Sequence, residues 1–373
     1  MQGKLILPTN WDPALLDRYA PMKPAYLYGA LPQEKTLRTF TLLQEVDEAK
    51  AVAHIEAARE KGIGFTYVLN ATCLGNEELS EDGRWQLLQR FQWLADNGVK
   101  AVVSANPFVL EIVKKEFPTL EAHVSVLAFV DDARKAKFFD DLGVDVIHLD
   151  PHVNRDLPKL ESIRDAVKCR LSVLVNEGCI FSCPLRHYHS NVMSHSYQSV
   201  RQSSYIDFCY HKCSFAKQTD PAEYLRIPWI RPEDLHHFDD LGIDYFKVAG
   251  REKMGDGFAS STEALAHMAA AYHERKSENV WELLIGMQEI TPVFGRADTA
   301  ARAPKVFIDG AKLDGFFDYF KKGKCKLDCH RCDYCSAWAA KAVRIEGDPE
   351  PYAERLAAEL ESFRKGSYIS GRR

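Results

Sequence analysis

The chain has 373 residues, roughly 2.5 times a typical ~150-residue domain, which leaves room for one large α/β barrel with an appendage and excludes a disulfide-stapled miniprotein. Hydrophobic residues at 46% and charged ones at 27% exclude a disordered chain. With 48 Lys and Arg against 53 Asp and Glu the net charge is −5, which argues against a nucleic-acid partner and for a small-molecule substrate.

The first residues, MQGKLILPTNWDP, lack the long apolar core of a signal peptide, and no apolar run reaches the ~18–20 residues of a membrane span. A cytoplasmic location with no membrane partner is expected. There, the ten cysteines are read as metal ligands or catalysts before disulfides.

From about residue 24 to 250, short apolar runs alternate with amphipathic stretches. Strands are predicted at 25–31, 65–71, 101–106, 122–129, 144–150, 170–176 and 244–250. The first intervening helix is predicted with Val46, Ala49, Ala53 and Ala57 on one face and Gly62 at its left-handed cap. One joint occurs twice: Asp140-Asp141-Leu142-Gly143-Val144-Asp145 returns as Asp239-Asp240-Leu241-Gly242-Ile243-Asp244, each time leading into a strand. Asn97-Gly98-Val99 and Lys61-Gly62-Ile63 are weaker versions. Repeated βα units with parallel strands predict a TIM-barrel-like (β/α)8 fold, complete or partial, with a doubly wound open sheet as the competitor.

Polar residues gather at the carboxyl ends of these runs, where barrels build active sites: Tyr28, Asn70, Ser104, Asn106, Ser125, Asp150, His152, Asn176, Lys247 and Arg251. Turn chemistry alone accounts for most of them individually. Residues 177–232 carry four cysteines and no clear periodicity, which suggests a functional insertion into a core spanning 1–290. Residues 291–373 form the second unit: a polar connector, the aromatic run FFDYFKKG, a second cysteine group and an amphipathic helix around 350–365. The segment GREKMGDG lacks the P-loop pattern.

The first quartet is Cys179-x3-Cys183, then 25 residues, then Cys209-x3-Cys213, placed just past a strand and so at the barrel mouth. Paired thiolates on a short turn, completed by a returning segment, suit one metal centre: iron–sulfur is favoured, with four-cysteine zinc as the alternative. The second quartet, Cys325-x3-Cys329-x2-Cys332-x2-Cys335, packs four thiols into eleven residues, and its last three have ferredoxin-type spacing. A second 4Fe-4S cluster is expected, again with zinc as the alternative. The spacing Cys325-x3-Cys329-x2-Cys332 also matches radical S-adenosylmethionine enzymes, but those place the motif before the barrel, and here Cys335 can take the fourth iron.

Cys169, about six residues before the strand's other end, is expected ~20 Å from Cys179 at ~3.3 Å per residue. Cys73 reads as a buried small residue. His187, His189, His195 and His211 crowd the first quartet as candidate proton donors, and Arg186 and Arg251 could grip a carboxylate bidentately. Arg186, His187 and Arg251 are the candidate catalytic residues, and Asn70, Asn176 and Lys247 the candidate cofactor-binding ones.

At Asn176-x-Gly178-Cys179-x3-Cys183-Pro184-x-Arg186, and again at Lys247-Val248-Ala249-Gly250-Arg251, the chain resembles peptidase family U-32, the collagenase-like peptidases. The run WIRPEDL (229–235) and LPTN near the start are similar to that family's segments, over roughly residues 4–255. The resemblance implies a 4Fe-4S cluster on Cys179, Cys183, Cys209 and Cys213 and oxygen-independent hydroxylation, with prephenate as oxygen donor and a ubiquinone precursor or an RNA base as target. The family's Glu-x-x-x-His-Gly-x-x-Cys-x-x-x-Ser-Gly-x-Cys signature has no counterpart between Asp150 and Asn176.

The leading expectation is an iron–sulfur enzyme of anaerobic metabolism acting on a small carboxylated molecule. Its expected partners are an electron-transfer protein and a homologous subunit. Peptidase activity, RNA-base hydroxylation and a zinc-stabilised non-catalytic protein are the alternatives; neither His-Glu-x-x-His nor Gly-x-Ser-x-Gly occurs.

Overall fold

Eight short strands pair in parallel and in chain order: β1 (Lys4–Pro8), β2 (Tyr26–Gly29), β3 (Gly64–Val68), β4 (Ala101–Ser104), β5 (Glu121–Val124), β6 (Val146–His148), β7 (Arg170–Leu174) and β8 (Tyr245–Lys247). β8 pairs back onto β1, so the barrel is closed and the open sheet is excluded. The computed structural model describes residues 2–36, 46–195, 207–251, 260–285 and 303–366. Residues 252–257 of GREKMGDG and most of the polar connector lie outside them. Among the described residues no helix is long and apolar enough to cross a membrane.

Parallel neighbours need a crossover, supplied in turn by α1 (Pro13–Tyr19), α2 (Glu48–Glu60), α3 (Glu81–Asp96), α4 (Pro107–Glu116), α5 (Ala133–Asp141) and α6 (Leu157–Ala166). The crossover from β7 to β8 is longer. Residues 177–232, aperiodic in sequence, hold α7 (Arg186–His195), α8 (Asp207–Thr219) and α9 (Glu223–Arg226), before α10 (His236–Asp240) completes the return and α11 (Ser261–Glu274) follows β8. Every predicted strand is present, but each stops short of its apolar run. The fifth stops soonest, because the Ser125 hydroxyl accepts from Leu127 N, a 3-10 turn follows at Val126–Ala128, and Phe129 takes a left-handed φ of 52°.

The face of α2 differs from expectation. Ala49 and Ala53 are exposed, while Ala51, His54, Ile55 and Ala58 are buried. Alanines direct a helix weakly; His54 turns inward because its Nε2 lies 2.8 Å from Thr9 Oγ1, and burial lowers its pKa to about 4, keeping it neutral.

Beyond the barrel, β9 (Lys305–Ile308) pairs antiparallel with β10 (Val343–Glu346). Three helices dock the segment: α12 (Asp318–Lys321) on α6, α13 (Tyr334–Ala342) on α9, and α14 (Glu350–Arg364) along α8. Phe316, Phe317 and Phe320 of the aromatic run are buried in this junction.

The repeated joint has a physical purpose. Gly62, Gly98, Gly143 and Gly242 all have φ between 71° and 84°, the left-handed region an L side chain resists, and each turns a helix into the next strand. The two aspartates of the strong copies then reach sideways. Asp140 Oδ1 accepts from Lys168 N and Cys169 N, both at 2.9 Å, holding the approach to β7, and Asp239 Oδ1 accepts from Gly3 N at 2.8 Å, holding the approach to β1. On the other side, Asp145 Oδ2 accepts from Ala122 N of β5 at 2.8 Å and Asp244 Oδ2 from Leu171 N of β7 at 2.9 Å. Each copy thus stitches its strand to both neighbours, and Asp239, also 2.6 Å from Arg275, does so across the closing seam. Asp239→Ala is expected to cost about 1–3 kcal/mol in urea unfolding. Asp240→Ala, at an exposed neighbour, should stay within about 0.5 kcal/mol of wild type; equal losses would remove the seam from the explanation.

Candidate active site at the barrel mouth

Strand register places Tyr26 and Tyr28 of β2, Thr66 of β3, His123 of β5, His148 of β6, Arg170 and Ser172 of β7, and Tyr245 and Lys247 of β8 on one face of the sheet. That face is the lumen, because Tyr26 reaches Glu121 on a non-adjacent strand (2.8 Å) and meets the Tyr245 ring. The amino-terminal end is sealed by charge: Arg170 lies 2.8 Å from Glu121 and donates to Tyr245 (2.8 Å) and Tyr26 (3.1 Å). Above this plug is a polar layer. Thr66 Oγ1, Ser172 Oγ, His123 Nδ1 and both ring nitrogens of His148 are buried with no protein partner among the described residues. Burial, with Lys247 nearby, pushes His148 well below the ordinary histidine range, so it is neutral at pH 7.

Lys247 caps this layer. Its ammonium sits 4.6 Å from the centre of the Tyr28 ring, and Arg251 approaches the same ring at 5.8 Å. Gly250, at φ 124°, makes the reversal that brings Arg251 back over Lys247. Tyr28 is held by a bond from its Oη to Val248 O (3.1 Å). Among the described residues no carboxylate lies within ion-pair distance of Lys247. Burial, then the like charge of Arg251, lowers its pKa to about 7. The mouth therefore presents two buried basic groups on one aromatic face, a receptor for an anion, with one of them able to exchange a proton near neutrality.

The other predicted site residues are placed as follows. Asn176 is a strut: its Nδ2 donates to Ala249 O and Leu283 O, both at 2.9 Å, and its Oδ1 accepts from Ala249 N at 2.8 Å, which takes both of its amide hydrogens and leaves it no donor for a cofactor. Arg186 is paired to the buried Asp150 at 2.5 Å and covered by Phe129, so it positions the loop instead of gripping a substrate carboxylate. His187 is exposed against Phe129, with ring centres 4.2 Å apart, outside the lumen. Asn70 reaches Ser125 at 3.4 Å on the rim, whereas Asn106 caps α4 and Ser104 bonds its turn. His195 is exposed at the end of α7, and the buried His211 pairs with Glu359 of α14. Bonds from Thr72 to Asn191 (2.7 Å) and Ser194 (2.9 Å) tie α7 to the β3 rim, so the helix that starts beside Asp150 crosses the mouth.

The first quartet adjoins this cap. Glu177 Oε1 accepts from Gly178 N (2.7 Å) and Cys179 N (2.9 Å), fixing the turn that carries Cys179. Burial pushes the Cys179 and Cys183 thiols up, and Cys209 to about 11; Cys213 adds to all three shifts and Cys183 to that of Cys209. Arg186 and Lys217 act in the opposite sense on Cys179 and Cys183, as a positive border would on an anionic cluster. In the second quartet burial raises Cys335 to about 11, and Tyr319 Oη lies 3.7 Å from Cys332 Sγ. Among the described residues no three His, Cys, Asp or Glu side chains are gathered closely enough to hold a metal ion, so ligation needs the thiols to turn inward. Four thiols per group with cations alongside are a donor set that fits an iron–sulfur cluster. Cys169 sits before β7 beside Asp140, away from both groups, and Cys73 is half-buried on the β3 rim.

Thr66, His123, His148, Ser172 and Arg170 were not singled out in the sequence. Their signal was available: polar residues at every second position of apolar runs, as in His148-Leu149-Asp150 and Arg170-Leu171-Ser172.

A profile of peptidase family U32 matches residues 35–301, ending before the second quartet. The "Uncharacterized protease MJ1657" of Methanocaldococcus jannaschii is 31% identical over 301 residues, 80% of this chain and 82% of that protein. Among solved structures, the U32 peptidase Mk0906 aligns with a TM-score of 0.50 and 25% identity, over 67% of this chain and 94% of its own.

Lys247 gives a test of the mouth's electrostatics. Below pH 7 it is charged both folded and unfolded and the full cost of burying the charge applies; above that the folded form is neutral, and the cost fades until the ordinary value of 10.5 is reached. Lys247→Met is therefore expected to be more stable than wild type by a few kcal/mol at pH 6.5, since every tenfold loss in the proton affinity of the buried amine corresponds to about 1.4 kcal/mol. The gain should shrink towards pH 10 in denaturant titrations. A gain independent of pH would remove the buried charge as its cause.

Proposed function

The chain belongs to peptidase family U32, and from that premise we propose that it is an iron–sulfur enzyme that binds a small carboxylated molecule at the barrel mouth and supports its oxygen-independent hydroxylation. The observation that carries the reading is the pairing of Lys247 and Arg251 over Tyr28, with Lys247 buried and given no carboxylate among the described residues. A substrate carboxylate would supply the missing charge.

In the reaction envisaged, an acceptor C–H becomes C–OH, the oxygen comes from a hydroxylated carboxylate donor, and the donor carbon gains the hydrogen. The acceptor loses two electrons and the donor takes them, so the exchange balances internally. A cluster bound by Cys179, Cys183, Cys209 and Cys213 would supply one-electron chemistry beside this site. The chain's own part is to orient and to exclude: Arg251 and Lys247 hold the carboxylate, Lys247 accepts or returns a proton near neutral pH, and α7 keeps bulk water from the mouth. An electron-transfer protein is the proposed partner for the second quartet.

The names carried by the relatives favour a second reading, peptide hydrolysis. Against it, burial raises the Cys179 and Cys183 thiols, the reverse of what a thiolate nucleophile needs.

Protein purified without air is expected to hold about four irons and four sulfides per quartet. Paired Cys179→Ala and Cys213→Ala replacement should halve the iron, while Lys247→Gln should keep the iron and lose at least tenfold in affinity for small aromatic or hydroxylated carboxylates measured by calorimetry. Stoichiometric zinc without iron would end the redox reading.

A further inference from the structure

Two well-sheltered arginines come with carboxylates: Arg186 meets Asp150, and Arg231 meets Asp234 at 2.9 Å and Asp314 at 2.6 Å. Arg155 does not. It is only 4% exposed, it stands in the turn after β6, and it has no carboxylate within ion-pair distance among the described residues. Its Nη2 donates to Ile227 O (2.7 Å) and more weakly to Leu225 O (3.4 Å), and its Nε is buried without a partner. Three rings of the junction surround the guanidinium: Phe320 at 4.7 Å, Trp229 at 5.1 Å and Phe316 at 5.3 Å.

Such a cation needs a counter-charge. The same rings lead to one: Phe316 stacks on Tyr334, the residue before Cys335, and Tyr334 stacks at 4.1 Å on Tyr319, whose hydroxyl meets Cys332. Cys325 and Cys335 pack against the same core, and Cys335 is the group that acts most strongly on Arg155 after burial itself. Arg226 faces the quartet too, but it is already paired with Asp220 (2.6 Å) and Glu223 (2.5 Å).

We propose that Arg155 is the counter-cation of a second iron–sulfur site formed by Cys325, Cys329, Cys332 and Cys335, and that it sets that site's reduction potential from within the barrel. This rests on the reading of the quartet as a cluster site. Thiols are neutral when free; ligated as thiolates they give an anionic centre, which answers the charge left over on Arg155. Reduction adds one more negative charge to the centre, so a fixed cation beside it favours the reduced form and raises the potential.

The experiment uses the full chain, purified and reconstituted without air, with iron analysis and a redox titration followed by paramagnetic resonance. Arg155→Gln keeps a donor for Ile227 O and removes the charge; it is expected to change the oxidised-to-reduced ratio of the second centre at least tenfold at fixed potential, which is 59 mV downward for a one-electron centre. Arg155→Lys keeps the charge and should recover most of the shift, with the first centre unmoved in both. Loss of the second centre in Arg155→Gln but not Arg155→Lys would also support the charge role. A second centre present and unshifted in Arg155→Gln, or lost in both variants, overturns the role of Arg155 while leaving the cluster in place. If Cys325→Ser with Cys332→Ser removes no iron from the otherwise native chain, the cluster reading itself fails.

Discussion

A charge taken out of water has to be answered by another, and that requirement sorts the polar residues of this barrel. At the amino-terminal end Glu121 and Arg170 answer each other and close the lumen with two tyrosine hydroxyls. On the rim Asp150 answers Arg186 and so fixes the start of the helix that crosses the mouth. These pairs are complete, and they are architecture. Lys247 is different: it is buried, basic, next to another basic residue and above a layer in which Thr66 Oγ1, Ser172 Oγ, His123 Nδ1 and both nitrogens of His148 have no protein partner among the described residues. An incomplete set of charges at a barrel's carboxyl end is where binding is to be looked for.

That site depends on strand register, and register depends on the joints. The glycine reverses the chain, and the aspartates on either side bond the flanking strands, so neighbouring strands cannot slide without breaking a charged bond on each side. A slip of one residue in β8 would turn Lys247 out of the lumen. Short strands suffice because closure leaves no edge and the joints carry what longer ladders would otherwise carry.

Much of this was legible in the sequence. The alternation of apolar runs with helical stretches gave every strand from β2 to β8, the doubled Asp-Asp-Leu-Gly motif located two joints, and the carboxyl-end rule put Lys247 and Arg251 at the mouth. What could not be read were interactions whose partners lie far along the chain. Asn176 was a reasonable ligand until its three bonds to residues about 70 and 107 positions away used its amide. Arg186 offered itself to a substrate until Asp150, 36 positions earlier, took its charge. His54 reversed the predicted face of α2 through one bond to Thr9, and the aperiodic stretch after β7 became helical because α14 and the barrel cover it, a tertiary effect that local periodicity does not record.

The pairing of α8 with α14 also has a consequence for the order of events in the cell. Phe208 and His211 emerge from the ribosome long before Phe363 and Glu359, the residues of α14 that pack against them. Until translation reaches that point this face of α8 stays open to water, so the helix that presents Cys209 and Cys213 gains its full packing only once residues 350–364 have been made.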